Sequence, residues 1–267
     1  MPEHWLQCAP LSAWLNYRMP PRPLLIIATG APPPAIRARF GDYTGWFLHA
    51  MRWPRVQALT VQVDRDQALP APGAVCGALI TGSAAMVSER LDWSERTAGW
   101  LRAAMDARLP LFGVCYGHQL LAHALGGRVD YHPQGREIGT QDIERLGADG
   151  ALDALAPLPR CFAAHTTHLQ SVLEAPAGAR VLARSAHDPH QILMYGDCAV
   201  TTQFHPEFSS DNMRAHLRIR AAKLREEGLD MRALLAAVRP TPWARRLLRG
   251  FARHCAMGRE DALRAAA

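Results

Sequence analysis

The stretch Pro110–Gly127, PLFGVCYGHQLLAHALGG, decides how the rest of the chain reads. A short apolar run ends on Cys115, and an apolar helical pattern follows it. Between them, Gly113-Val114-Cys115-Tyr116-Gly117 places a nucleophile-type residue midway between two glycines. A strand that turns sharply into a helix puts the turn residue at its apex, and flanking glycines let strand and helix approach where a Cβ would clash. The helix N-terminus beyond the turn offers unpaired N–H groups and the positive end of the helix dipole, which favour a thiolate and an oxyanion. Free cysteines are commonly small buried hydrophobes, but a turn of this kind is expected to expose and activate the thiol. Cys115 is the candidate nucleophile.

Upstream, LLIIATG (Leu24–Gly30) predicts a buried strand running into a turn. AIRARFGDYTGWFLHAM is a broken helical pattern, VQALTVQVD (Val56–Asp64) a second strand, AVCGALITGS (Ala74–Ser83) a third, and Ser94–Ala107 a helix. Continuous apolar strands alternating with helices predict an α/β fold: a mostly parallel central sheet with helices on both faces. Ligands of such sheets sit at the carboxyl ends of the strands, where Gly30, Gly82-Ser83 and Cys115 all fall. After Gly127 the segments are shorter and more β in character, and from about Ser210 the pattern is helical again. The expected organisation is an N-terminal extension over 1–22, a main domain over 23–210, and a helical extension over 211–267 packed on that domain.

Composition narrows the classes. The 267 residues are 49% hydrophobic and 20% charged, enough for a good core without staples. The six cysteines show no CxxC pair or clustering, so neither a disulfide framework nor a metal site is expected. Cys76 and Cys198 read as small buried hydrophobes. No apolar run reaches the roughly 18 residues of a membrane span, and no secretory leader is visible at the N-terminus, so a cytoplasmic setting is expected. The net charge is +6, and Lys223 is the single lysine among 30 basic residues. The arginines after Arg214 have helical spacing, so they read as solvated helix faces rather than a nucleic-acid surface.

A thiol nucleophile needs a base, and the base an orienter. Among 12 histidines one string stands out, TTQFHPEF (Thr201–Phe208). His205 and Glu207 lie two apart, which in extended backbone puts both side chains on one face. Glu207 then accepts from one ring nitrogen while the other faces Cys115.

Together these strings resemble the class I glutamine amidotransferases, the triad-type glutaminase domains with a flavodoxin-like fold. FGVCYGHQLLAHALGG resembles their nucleophile motif, QFHPEF their His-x-Glu motif and GALITGS their oxyanion strand. GREIG (Gly135–Gly139) and THLQSV (Thr167–Val172) resemble segments of the GMP-synthase-type branch. The resemblance covers roughly residues 24–210, in order. It implies that Cys115 attacks the side-chain amide of glutamine, that His205 moves the proton, and that Glu207 orients His205. It implies an oxyanion hole at the backbone of Gly82 and Tyr116, with Ser83, Gln119, Thr167, His168 and Leu169 near the substrate. It implies no cofactor. His165 is a further candidate beside His168, whereas His118 and His123 read as structural.

This sequence departs from the pattern at Ser83, where a second glycine is usual, and at Leu169, where a glycine is replaced beside the substrate. No synthetase-type phosphate loop follows Ser210, so the chain is not expected to make GMP alone. Three readings stay open. The first is a glutaminase releasing ammonia through a γ-glutamyl thioester, for a separate synthetase partner. The second is a γ-glutamyl peptidase or hydrolase acting alone. The third is a non-catalytic, partner-binding subunit. The helical extension is expected to act as a cap or a homodimer surface.

Overall fold

The computed structural model describes residues 22–147 and 150–265. Apart from its last residue, the expected extension over 1–22 lies outside the described residues. The strands are β1 (Leu24–Ala28), β2 (Ala58–Gln62), β3 (Gly77–Ile80), β4 (Leu111–Val114), β5 (Arg128–Tyr131), β6 (Glu137–Arg145), β7 (Cys161–His168), β8 (Gln170–Glu174), β9 (Ala179–Arg184), β10 (Ile192–Tyr195) and β11 (Ala199–Thr202). The helices are α1 (Pro34–Phe40), α2 (Tyr43–Met51), α3 (Asp92–Asp106), α4 (Tyr116–Ala124), α5 (Gly150–Leu155), α6 (Ser210–Ile219), α7 (Ala221–Glu226), α8 (Met231–Ala237) and α9 (Pro242–Ala265).

Among the described residues, one sheet runs β2-β1-β3-β4-β11-β10-β9-β6-β7 and a second pairs β5 with β8. The first five strands of the large sheet are mutually parallel, and the remaining four add antiparallel. The parallel strands are those whose residues read as continuous apolar runs. Every residue of β1, β3, β4 and β11 is buried, as a sheet covered on both faces requires. The antiparallel half is the β-rich stretch after Gly127, where β6 pairs with β7 along almost its whole length.

Alternate residues of β1 serve two cores. Leu24 and Ile26 face one, with Phe47 of α2 and Leu247, Leu248 and Phe251 of α9. Leu25 and Ile27 face the other, with Leu101 of α3 and Leu120 and Leu121 of α4. A third cluster joins Ile36, Trp46 and Phe208 to Met213, Leu217 and Leu224 of α6 and α7. The helical stretch beyond residue 210 therefore contributes to the cores of the same sheet. No described helix is long and apolar enough to cross a membrane.

Two local expectations are corrected. The Val56–Asp64 strand is shorter, because single 3-10 turns over Arg55–Gln57 and Val63–Arg65 flank β2. Cys76 and Cys198 are half-buried rather than buried. Each stands just outside a strand, Cys76 ahead of β3 and Cys198 in the β10–β11 turn.

Because β1, β3, β4 and β11 are parallel, their carboxyl ends lie along one edge of the sheet. The segments that follow carry Thr29, Gly82, Cys115 and His205. Topology alone thus gathers residues more than 170 positions apart.

Candidate active site

Cys115 follows β4 directly and stands as the residue ahead of α4, with φ 52° and ψ −99°. A positive φ in a non-glycine residue costs on the order of 1–3 kcal/mol and is kept where the surroundings over-determine it. Here the two flanking glycines set the geometry. A Cβ on Gly113 would lie 2.6 Å from the Gly117 carbonyl oxygen, and one on Gly117 would lie 2.6 Å from the Ile80 carbonyl oxygen. Only glycine lets α4 leave β4 this close to β3.

His205 and Glu207 lie in the turn after β11 rather than in the strand, yet the expected contact forms. Glu207 Oε1 is 2.7 Å from His205 Nδ1, with both side chains buried. The His205 backbone N–H donates to the His165 carbonyl at 2.7 Å, and the Phe208 ring stacks on the imidazole at 4.2 Å between centroids. The remaining nitrogen, Nε2, is buried without a formed hydrogen bond, and the Cys115 thiol lies beside it. Such contacts tighten when substrate arrives.

Charge organises this pair. Burial raises the Cys115 pKa, but the His205 charge and contact, with His168 adding in the same sense, outweigh it and hold the thiol below its ordinary value. Burial lowers the His205 pKa, but the Glu207 carboxylate and the Cys115 thiolate outweigh it and hold the imidazole above its ordinary value. Both shifts favour a thiolate–imidazolium pair.

The other candidates fall around this pair in different capacities. Thr29 and Thr81 hydroxyls donate to the Gly82 carbonyl at 3.0 and 3.1 Å, which fixes that peptide. A Cβ on Gly82 would lie 3.1 Å from His205 Cε1 and 3.7 Å from Cys115 Cβ, so its backbone borders the reacting atoms. Tyr116 opens α4, where first-turn N–H groups lack helical partners. Its phenol turns away to Ser94 at 2.7 Å, with its pKa pushed up to about 12, mainly by burial. The Ser83 hydroxyl donates to the Thr29 carbonyl at 2.6 Å, tying the third strand's turn to the first.

Gln119 donates to the Gln170 carbonyl at 2.6 Å and to Gln203 Oε1 at 3.0 Å, bracing α4 against the β7–β8 corner. That corner carries Thr167, His168 and Leu169. Thr167 pairs with Ile138 in the ladder, and the Leu169 carbonyl accepts from His132 N–H at 2.9 Å. His118 bonds Thr201 at 2.8 Å with its pKa down to about 3, chiefly by burial, and His123 pairs with Glu95 at 2.9 Å. His165 bonds Thr140 at 3.0 Å with its pKa down to about 4, again chiefly by burial. His165 and His168 are three apart on β7, so they face opposite sides of it.

Sequence reasoning missed three residues of this region. Glu137 lies 2.8 Å from His168 Nε2 and accepts further bonds from Ser185 at 2.5 Å and Gln191 at 2.7 Å. Tyr43, at the start of α2, is an electrostatic neighbour of Glu207 and Cys115. Arg220, at the α6–α7 junction, is an electrostatic neighbour of Tyr43 and Cys115. Glu137 lies within the quoted GREIG string, but Tyr43 and Arg220 carried no local signal. Among the described residues, no group of three or more His, Cys, Asp or Glu is arranged to hold a metal.

Residues 41–222 match the family model for class-I glutamine amidotransferases. Over 131 residues the chain is 39% identical to the glutamine-hydrolysing GMP synthase of Thermomicrobium roseum, taking in 49% of this chain and 23% of that protein. Over 142 residues it is 28% identical to gamma-glutamyl peptidase 5 of Arabidopsis thaliana, taking in 51% of this chain and 55% of that one. The chain thus spans less than a quarter of the GMP synthase and about half of the peptidase. In fold it is similar to the glutamine amidotransferase of Methylobacillus flagellatus, with TM-score 0.67 and 24% identity over 88% of this chain and 96% of that one. It is also similar to a glutamine amidotransferase of Thermotoga maritima, with TM-score 0.66 and 19% identity over 88% and 96% of the two chains. The chain belongs to the class-I glutamine amidotransferase family.

Proposed function

We propose that this chain hydrolyses a γ-glutamyl side-chain amide, glutamine being the smallest, with Cys115 as nucleophile, His205 as acid and base, and Glu207 as orienter. The observation that carries this reading is the buried His205–Glu207 contact of 2.7 Å beside the Cys115 thiol at the apex of the strand–helix turn. The thiolate adds to the amide carbonyl, and the oxyanion meets the backbone N–H groups of Tyr116 and the Gly82 turn. A donor of that kind is typically worth about 3 kcal/mol of barrier. His205 gives its proton to the departing amine, leaving a γ-glutamyl thioester. Neutral His205 then takes a proton from water as it attacks, and expulsion of the thiolate yields glutamate. Glu207 holds the imidazole in place through both steps.

When the departing amine is ammonia, its acceptor is the substrate of a separate synthetase, as the likeness to GMP synthase suggests. A second reading, cleavage of a γ-glutamyl peptide, is favoured by Leu169, which replaces the family's glycine beside the substrate, and by the likeness to a gamma-glutamyl peptidase. The deciding experiment is a release assay on the purified chain with glutamine and a panel of γ-glutamyl amides, using Cys115→Ala as control. Turnover that survives Cys115→Ala overturns the reading.

A further inference from the structure

Thr29 follows β1 and Thr81 follows β3, and the two lie side by side because these strands pair in parallel with Ile27 opposite Ile80. Both side chains are buried. The Thr29 N–H donates to Thr81 Oγ1 at 3.1 Å, and the Thr81 hydroxyl donates to the Gly82 carbonyl at 3.1 Å. The Thr29 hydroxyl reaches the Thr81 carbonyl at 3.1 Å and the Gly82 carbonyl at 3.0 Å. A hydroxyl has one proton to give, so these two carbonyls share it.

Two consecutive carbonyls therefore converge on one oxygen atom. In a strand successive carbonyls point to opposite sides, so the backbone has left strand geometry here. The described peptides are all trans, and in a trans peptide the N–H points away from the carbonyl. The Gly82 and Ser83 N–H groups belong to these same two peptides, so both point away from Thr29. Among the described residues neither of them donates a hydrogen bond. Successive N–H groups gathered on one side form a concavity suited to an anion.

This turn touches the reacting pair directly: a Cβ on Gly82 would lie 3.1 Å from His205 Cε1 and 3.7 Å from Cys115 Cβ. Its outgoing end is tied to Thr29 as well. The Ser83 hydroxyl donates to the Thr29 carbonyl at 2.6 Å and accepts from the Ala85 N–H at 3.1 Å. A glycine at position 83 would make neither bond. Thr29 thus grips the turn twice, through its hydroxyl and through its carbonyl.

We propose that Thr29 is a positioning residue for the reaction. Its hydroxyl gathers the Thr81 and Gly82 carbonyls and so turns the Gly82 and Ser83 N–H groups together towards the oxyanion that forms at Cys115. This rests on the hydrolase reading above and deepens it: the Gly82 turn supplies a pair of donors, and Thr29 sets their direction without touching substrate. The oxyanion exists only after the thiolate has added to the carbonyl, so the role of Thr29 is felt in kcat rather than in KM.

The test uses Thr29→Val, which replaces the hydroxyl with a methyl group of similar size, Thr29→Ala, which leaves more room beside the two carbonyls, and Thr29→Ser, which keeps the hydroxyl. Three quantities are read for each: kcat and KM on the best γ-glutamyl amide of the native chain, the rate at which iodoacetamide alkylates Cys115, and the urea midpoint. Alkylation is a displacement at saturated carbon and forms no oxyanion, so it reports the thiol and the fold but not the donors. Removing one oxyanion donor typically costs about 100- to 1000-fold in kcat; misdirecting the pair in Thr29→Val or Thr29→Ala is expected to cost about tenfold or more. KM and the alkylation rate are expected to stay within about threefold, and Thr29→Ser to recover most of the loss. If Thr29→Val does not fold, Thr29→Ala and Thr29→Ser carry the comparison. A kcat unchanged in the folded hydroxyl-free variants, an alkylation rate that falls in step with kcat, or no recovery in Thr29→Ser would each overturn the Thr29 assignment while leaving the hydrolase reading intact. No Cys115-dependent turnover of any compound by the native chain would overturn the hydrolase reading, and the Thr29 assignment with it.

Discussion

The two ring nitrogens of His168 both face acceptors: Glu137 Oε2 lies 2.8 Å from Nε2, and the Gln170 carbonyl oxygen lies 3.0 Å from Nδ1. Both nitrogens must donate, so the buried ring is an imidazolium. Burial opposes its charge, but Glu137, Asp188 and Cys115 outweigh that and raise its pKa. Burial likewise opposes the Glu137 charge, and His168, Ser185 and Gln191 outweigh that and lower its pKa. The pair pins the β7–β8 corner, whose backbone borders the substrate in the reading above.

Glu137→Gln removes one partner of this buried pair and should destabilise the fold by about 3–5 kcal/mol. The effect depends on pH in a defined sense. Glu137 contributes above its unfolded carboxylate pKa, and the contribution is lost as pH falls through the lower folded value. His168 contributes fully below its unfolded imidazole pKa, and the contribution is lost as pH rises through the higher folded value. With reference values of 4.5 and 6.5, the loss should be largest between them. Urea unfolding of both proteins across that range checks this, and a difference under about 1 kcal/mol throughout would count against the pair.

The Cys115 thiol should react with iodoacetamide at pH values where an ordinary thiol is protonated. In His205→Asn the opposing effect of burial is left largely uncompensated, so the midpoint of the rate–pH curve should move up. Mass mapping separates Cys115 from the exposed Cys161. Identical midpoints in the two proteins would show that His205 does not set the thiol's charge.

Cys115→Ala should abolish turnover while preserving the circular dichroism spectrum. Glu207→Gln should cost one to two orders of magnitude less than that, about the margin by which an orienter differs from a nucleophile. Steady-state assays on both variants decide, and comparable losses would mean that Glu207 does more than orient His205.

Phe251→Ala should destabilise the whole fold by about 3–5 kcal/mol, because the side chain is 2% exposed and its ring packs, tilted, against Phe112 of β4 with centroids 5.5 Å apart. A single cooperative transition at lower denaturant is the expected result. Separate melting of the C-terminal helices, with the sheet unaffected, would show that residues 211–267 form an independent unit.

Several parts of this molecule were legible without coordinates because their physics is local. The apolar runs at Leu24–Ala28 and Leu111–Val114 announce strands buried on both faces. The glycines at 113 and 117 announce a turn that admits no Cβ, and the two-residue spacing of His205 and Glu207 fits a direct contact even though the turn there is not a strand. Strand lengths were overestimated at β2, where short 3-10 turns look like continuing strand in a one-dimensional pattern. Arg220 was read as part of a solvated face, because helical spacing does not reveal that the helix breaks at that residue.

By itself the sequence determined the kind of sheet, the apex at Cys115 and the pairing of His205 with Glu207, since each depends on residues only a few positions apart. Tertiary structure alone decided the pairing of His168 with Glu137, the presence of Tyr43 and Arg220 in the electrostatic surroundings of Cys115, and the packing of α9 on the sheet. The reason is separation along the chain. Glu137 and His168 are 31 residues apart, and Arg220 lies still farther from Cys115. No local pattern records a contact or a charge that exists only once the sheet has brought its strand ends together.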